Sequence, residues 1–178
     1  MDQYSPYQRN EVGSRFWAIP GTEGFTHILG GLEKDNKTGA ISTDPDNHDL
    51  MTRSRQEKID KIQVPDLEVL GDEDDAELLI VGFGGTYGHL RATMDRMRKN
   101  GKKVAFAHFK YINPLPKNTA AVLKKYKKVV VAEQNLGQFA GWLRMKVDNF
   151  APYQFNEVKG QPFAVADLEK AFMEIYNK

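Results

Sequence analysis

From residue 67 onward, short apolar runs alternate with segments whose apolar residues recur every three or four positions. Leu78-Leu79-Ile80-Val81 is a continuous apolar run closed by glycines, as expected for a strand buried on both faces. A helix is predicted from Thr86 to Lys99, with Leu90, Met94 and Met97 on one stripe and Asn100-Gly101 as its stop. Val104–Phe109 is the next buried strand. Pro116 can open a helix holding Ala120, Leu123 and Tyr126. Val129-Val130-Val131 is a third strand, and Leu136, Phe139, Leu143 and Val147 mark the helix after it. Tyr153–Phe155 reads as a fourth strand, and Val165, Leu168, Phe172 and Ile175 stripe a closing helix. Strands alternating with helices of this length pair in parallel and carry helices on both faces. The expected fold class is therefore α/β: a three-layer α/β/α sandwich with a mostly parallel sheet over residues 67–178.

Residues 1–66 follow no such period. Pro6, Pro20, Pro45 and Pro65, with glycines at 13, 21, 24, 30, 31 and 39, interrupt both helix and strand patterns. Short strands are expected at Arg15–Ile19 and Gly39–Ser42. Asp44-Pro45-Asp46 is a strong helix start, combining a capping carboxylate, proline at the first position and negative charge in the first turn. That helix should run to about Ile62. Its apolar positions are few (Leu50, Met51, Ile59, Ile62), so it suits lying on another surface better than forming a core. The segment reads as an irregular arm that does not fold alone. The chain opens on Tyr4-Ser5-Pro6-Tyr7, polar and extended, which suits a natural terminus or a cut through a linker equally.

Composition narrows the function classes. The 178 residues are 40% hydrophobic and 28% charged, ordinary values for a globular domain, and the net charge of +1 gives no global attraction for nucleic acid or an acidic membrane. There is no cysteine, so these residues form no disulfide and offer no thiolate to a cluster or zinc. Residues 1–15 hold no apolar run of the signal-peptide kind, and nothing approaches the roughly 20 apolar residues of a membrane span. A soluble, cytoplasmic protein is expected. Charge is segregated locally: Asp66 to Glu77 carries seven acidic residues, whereas Asp95 to Glu133 is bounded by acids but contains only basic charges. The basic side either faces an acidic partner or a phosphate-bearing cofactor, or is a solvated helix face.

Gly82-Phe83-Gly84-Gly85-Thr86-Tyr87-Gly88 sits where the first buried strand meets its helix, the edge at which open parallel sheets bind ligands. Glycines permit positive φ and close backbone approach, and Thr86 is placed to cap the helix while N–H groups face an anion. The dinucleotide pattern is broken, because Tyr87 stands where G-x-G-x-x-G needs glycine, and the following strand ends His108-Phe109-Lys110 without an acid. No phosphate-binding G-x-x-x-x-G-K-[ST] occurs. The loop is thus a tight turn, or an anion or subunit contact. Asn113-Pro114-Leu115-Pro116 and Glu133-Gln134-Asn135-Leu136-Gly137-Gln138 follow the next two strands and converge on the same edge, with Asn135 and Asn113 also explained by capping and turn chemistry. His27, His48, His89 and His108 lack metal-ligand spacing and suit surface or half-buried positions, and no G-x-S-x-G or cysteine nucleophile exists. No catalytic or metal-binding residue is assigned.

Several segments carry a resemblance. Ser14-Arg15-Phe16-Trp17-Ala18-Ile19-Pro20-Gly21-Thr22, Gly31-Leu32-Glu33, Asp44-Pro45-Asp46-Asn47-His48, Gly82–Gly88, Tyr111-Ile112-Asn113-Pro114-Leu115-Pro116, Glu133–Gln138 and Asn156-Glu157-Val158-Lys159-Gly160-Gln161-Pro162-Phe163 occur in the order found in the α subunit of 2-oxoacid:ferredoxin oxidoreductases. The chain resembles the C-terminal, transketolase C-terminal-like part of that subunit, closest to the 2-oxoglutarate type. The resemblance implies an enzyme that oxidatively decarboxylates a 2-oxoacid on thiamine diphosphate and Mg2+, passes electrons through an iron–sulfur cluster to ferredoxin, and forms an acyl-CoA. It also implies partners: a β subunit and the remaining domains, with ferredoxin reached through the whole complex. The G-D-G motif for the diphosphate belongs to the β subunit, and Gly71-Asp72-Glu73 does not supply it. No cofactor would be held firmly here. Contact with CoA or a subunit would fall to Gly82, Gly84, Gly85, Thr86, Tyr87, Gly88, Asn113, Asn135, Gln138, Lys159 and Gln161. Two other readings stay open: a free-standing CoA- or nucleotide-binding α/β module, and a small independent enzyme on the same fold.

Overall fold

The structure, a computed structural model, describes residues 4–178. The chain divides into two compact units, 4–63 and 64–178.

In the second unit, β1 (Val69–Gly71), β2 (Leu78–Phe83), β3 (Val104–Phe109), β4 (Val129–Glu133) and β5 (Tyr153–Asn156) form one sheet in the order β1-β3-β2-β4-β5. All neighbours are parallel except β1, which runs antiparallel to β3 with Val69 opposite Ala107. The sequence pattern missed β1, because three residues, two half-buried and Gly71 exposed, are too few to show a period.

Alternation along each strand splits the core in two. Leu79, Val81, Ala105, Ala107, Phe109, Val129 and Val131 point to one face, where Leu123 of α3 (Thr119–Lys125) and Phe139, Ala140 and Leu143 of α4 (Gln138–Lys146) cover them. Leu78, Ile80, Val104, Phe106, Val130 and Ala132 point to the other. There they meet Leu90, Met94 and Met97 of α2 (Tyr87–Lys99) and Leu168, Phe172 and Ile175 of α5 (Val165–Tyr176). Both faces are apolar, so the strands read as unbroken apolar runs. This is the expected three-layer sandwich.

Three details depart from expectation. The helix opened by Pro116 begins at Thr119, after a turn closed by Thr119 N–H to Pro116 O at 3.0 Å. Leu136 is 81% exposed and outside α4, while Val147 is buried just beyond its end. Asn118 ties down the chain entering the sheet, accepting from Leu67 N–H at 2.8 Å and donating to Leu67 O at 3.0 Å.

The segregated charges meet each other. Asp72 accepts from Arg98 through both oxygens at 2.9 and 3.0 Å, Lys103 pairs with Asp75 at 2.6 Å, and Lys125 pairs with Asp74 at 3.1 Å. Lys128 donates to Tyr176 O at 2.6 Å. These acidic and basic runs lie beside the starts of β2, β3 and β4, away from the glycine loop. Much of the apparent basic face is therefore matched within the domain.

The first unit contains one helix, α1 (Pro45–Asp60), whose Asp44 side chain accepts from Asp46 N–H as the sequence predicts. The two expected strands reduce to isolated bridges, Arg9 with Arg15 and Lys34 with Ile41. Polar clamps hold the segment together. Asn47 donates to Lys34 O at 2.9 Å and accepts from Asn36 N–H at 3.0 Å, and Glu33 accepts from His48 and Arg55. Among the described residues, no helix is long and apolar enough to cross a membrane.

Candidate functional site

Because β2 to β5 are parallel, their carboxyl ends share one edge of the sheet, and the polar loops emerge there. The chain passes from β2 to β3 on one side and then to β4 on the other. The glycine loop thus stands at the point where strand order reverses, the position at which such sheets open a crevice.

The glycines of that loop do different jobs. Gly82 is buried at the end of β2, opposite His108, and a Cβ there would collide with the Leu90 side chain and crowd Thr86 Oγ1. Its role is close strand–helix packing. Gly84 is left-handed at φ +60°, and Gly84, Gly85 and Gly88 are exposed with open space where a side chain would stand. These three leave the start of α2 uncovered.

Thr86 does not cap α2. It is buried, and its hydroxyl donates to Phe83 O at 2.8 Å, closing the single 3-10 turn over Gly84–Thr86. The hydroxyl hydrogen is committed to the loop's own geometry and is not free to donate to an anion.

The corresponding end of α4 is closed. Glu133, fully buried at the end of β4, accepts from Phe139 N–H at 2.8 Å and Ala140 N–H at 2.9 Å. Asn135 accepts from Gly137 N–H at 2.8 Å and Gln138 N–H at 3.1 Å. Two side-chain oxygens of one carboxylate and one amide oxygen therefore satisfy the first N–H groups of this helix. Asn135 is a structural cap, and the Gln138 side chain remains exposed on the rim. Gly137 is left-handed and backs onto Gln154 of β5, where a Cβ would sit 2.5 Å from Oε1.

Of the other expected rim residues, Asn113 is exposed before a cis bond to Pro114. Gln134 donates to Gln161 O at 2.6 Å, joining the β4 and β5 loops, and Lys159 pairs with Glu157 at 3.0 Å. The structure gathers these residues on one edge but directs no common set of side chains at a point.

A cleft that sequence reasoning missed lies beside the glycine loop. Glu68, Leu70, Tyr87, Arg91, His108 and Lys110 line a cavity of about 450 Å3. Tyr87 meets the His108 ring edge-on at 5.1 Å, and Arg91 is held by Asp95 at 3.2 Å. His108 is half-buried and its Nδ1 is buried without a hydrogen-bond partner. Burial pushes the imidazole below its ordinary pKa, a backbone hydrogen bond to Gly84 opposes this, and nearby Lys110 lowers it further. The signal available in sequence was the break in an otherwise apolar strand, Phe106-Ala107-His108-Phe109. Among the described residues, no group of three or more His, Asp or Glu converges as metal ligands would.

This α/β domain, with a loop-bearing rim and, among the described residues, no group of His, Asp or Glu placed to hold a metal, matches a known family. The chain belongs to the family of pyruvate:ferredoxin oxidoreductase core domain II, which matches residues 76–167. It is 52% identical over 146 residues to 2-oxoglutarate oxidoreductase subunit KorA of Mycobacterium tuberculosis, covering 82% of this chain and 22% of the relative. Identity is 31% over 116 residues to 2-oxoglutarate synthase subunit KorA of Methanocaldococcus jannaschii, covering 65% and 31%. The structure of 2-oxoglutarate:ferredoxin oxidoreductase from Magnetococcus marinus, with 2-oxoglutarate, coenzyme A and succinyl-CoA bound, superposes with a TM-score of 0.83 at 32% identity, over 98% of this chain and 31% of that one. The chain thus spans between 22% and 31% of the length of these relatives.

Proposed function

We propose that this chain is the core-II domain of the α subunit of a 2-oxoglutarate:ferredoxin oxidoreductase. The whole enzyme would decarboxylate 2-oxoglutarate oxidatively, transfer the acyl group to CoA and deliver electrons to ferredoxin. The observation that carries this reading is the likeness to an enzyme of that activity over 98% of the chain, at 32% identity. Partners would be the remaining parts of the α subunit and a β subunit.

The domain would supply a scaffold rather than reacting groups. The described residues do not fit a metal or cluster site, and the 178 residues contain no cysteine, so Mg2+ and an iron–sulfur cluster would be held by other parts of the enzyme. A free-standing CoA- or nucleotide-binding module is not favoured, because the chain matches only a portion of much longer relatives and the start of α4 is already capped.

Within this reading, the open rim at Gly84, Gly85, Tyr87 and Gly88 is the part of the domain available to CoA or to a neighbouring domain. Its support is geometric: the positions are exposed, unobstructed and at the reversal of strand order. Gly88→Asp tests it in the complete enzyme. Open space around Gly88 means the fold should tolerate the change, whereas a carboxylate at the rim should raise KM for CoA several-fold while leaving KM for 2-oxoglutarate nearly unchanged. Equal KM values for CoA in variant and wild type would remove the rim from CoA binding.

A further inference from the structure

The unit 4–63 is built without a core. Of its described residues, only Pro6, Lys34, Gly39, Asn47 and Met51 are buried, and Met51 is the sole large apolar side chain among them. Meanwhile Phe16 is 58% exposed, Trp17 86%, Ile19 67%, Leu29 72% and Leu32 68%. Isolated exposed apolar residues are ordinary, but a concentration of the largest ones in a segment with almost no interior is not.

These side chains are arranged, not scattered. Leu29 lines two adjoining grooves, one shared with Phe16 and Trp17 and about 480 Å3 in volume, the other shared with Ile19 and Phe25 and about 590 Å3. The backbone between them is fixed by turns, with Thr22 N–H donating to Ile19 O and Phe25 N–H to Thr22 O. Polar clamps set the rest of the segment: Lys34 Nζ donates to Gly30 O at 2.7 Å, and Asn47 grips the backbone at 34–36. Local hydrogen bonds therefore hold the shape, while the apolar side chains are left turned outward. That combination suits a surface moulded to receive another one.

We infer that the face formed by Phe16, Trp17, Ile19 and Leu29 docks onto an apolar surface of the α-subunit chain outside these 178 residues. The inference rests on the reading that this domain belongs to a longer subunit. The relatives supply the occupant's source, since between two thirds and four fifths of their length has no counterpart here. Burying four large apolar side chains against such a surface would hold in place a segment that lacks its own interior.

Hydroxyl-radical footprinting read by mass spectrometry tests this on the complete enzyme, with the isolated 178-residue chain as reference. Labelling of Phe16, Trp17, Ile19 and Leu29 should be fast in the isolated chain and several-fold slower in the enzyme. The exposed Leu50 on α1, which lines neither groove, serves as an internal control for reagent dose in the reference. Equal labelling in both samples overturns the docking. So does protection already present in the isolated chain, whether independent of concentration (cover from the chain itself) or growing with it (a second copy). An intact-mass measurement of the same enzyme gives the length of the native polypeptide. A longer polypeptide with unprotected Trp17 overturns the docking alone, and a polypeptide of only 178 residues overturns the parent reading with it.

Discussion

Glu133 ends a fully buried strand and caps the following helix, its Oε2 accepting from Phe139 N–H at 2.8 Å and its Oε1 from Ala140 N–H at 2.9 Å. The negative carboxylate sits where the helix dipole is positive, and both oxygens are used. Glu133→Gln keeps one acceptor but turns an amide donor toward a backbone N–H. It should cost about 1–3 kcal/mol in a denaturant midpoint with an unchanged slope. Glu133→Ala should cost more, by leaving both N–H groups unpaired. A variant as stable as the parent would show that water replaces the cap at no cost.

Gly82→Ala probes the packing of β2 on α2. The new methyl group would strike Leu90, itself fully buried in the second core cluster, so the helix must shift or the rotamer change. We expect a loss of about 1–3 kcal/mol, seen as a lower thermal midpoint. Gly85→Ala, with open space around it, is the matched control and should change stability far less.

The pH response of the domain should carry the mark of His108. Its folded-state pKa lies below the ordinary imidazole value, chiefly from burial, so the unfolded chain takes up the proton first as pH falls. Stability is then complete above the ordinary imidazole range and declines as pH drops from about 7 toward 5. His108→Gln should flatten the thermal midpoint over that interval. An identical pH slope in variant and parent would assign the acid sensitivity to other groups.

The lysines near the sheet's amino edge should act on the fold and not on association. Replacing Lys124, Lys125, Lys127 and Lys128 with Ser removes the Lys125 pairs to Glu73 and Asp74 and the Lys128 bond to Tyr176 O. We expect a lower thermal midpoint at low salt, with the difference shrinking as salt is added, and unchanged affinity for the partner subunit. Weakened association at unchanged stability would instead make this edge an interface.

What was legible in the sequence follows from where the physics is local. Apolar runs such as Leu78–Val81 and Val129–Val131 declared buried parallel strands, and Asp44-Pro45-Asp46 declared the start of α1, because each signal is complete within a few residues. β1 was invisible because its three residues are specified by pairing with β3, not by their own pattern. Thr86 looked like a cap, but its hydroxyl is committed to Phe83 O by the 3-10 turn, a choice that depends on the glycines before it. Asn135 was readable as a cap, whereas Glu133 was not, since its partners lie six and seven residues on and its burial is decided by the sheet. The cleft at His108 joins residues from β3, α2 and the strand at 69–71, so no single window of sequence displays it.

The most direct test compares turnover of the isolated chain with that of the complete enzyme. Reduction of a viologen dye, dependent on both 2-oxoglutarate and CoA, is followed for each at equal molar concentration. The 178-residue chain should show no turnover above buffer, and full activity should appear only when this domain is joined to the remaining α-subunit and β-subunit polypeptides. Decarboxylation of 2-oxoglutarate by the isolated chain would contradict this expectation.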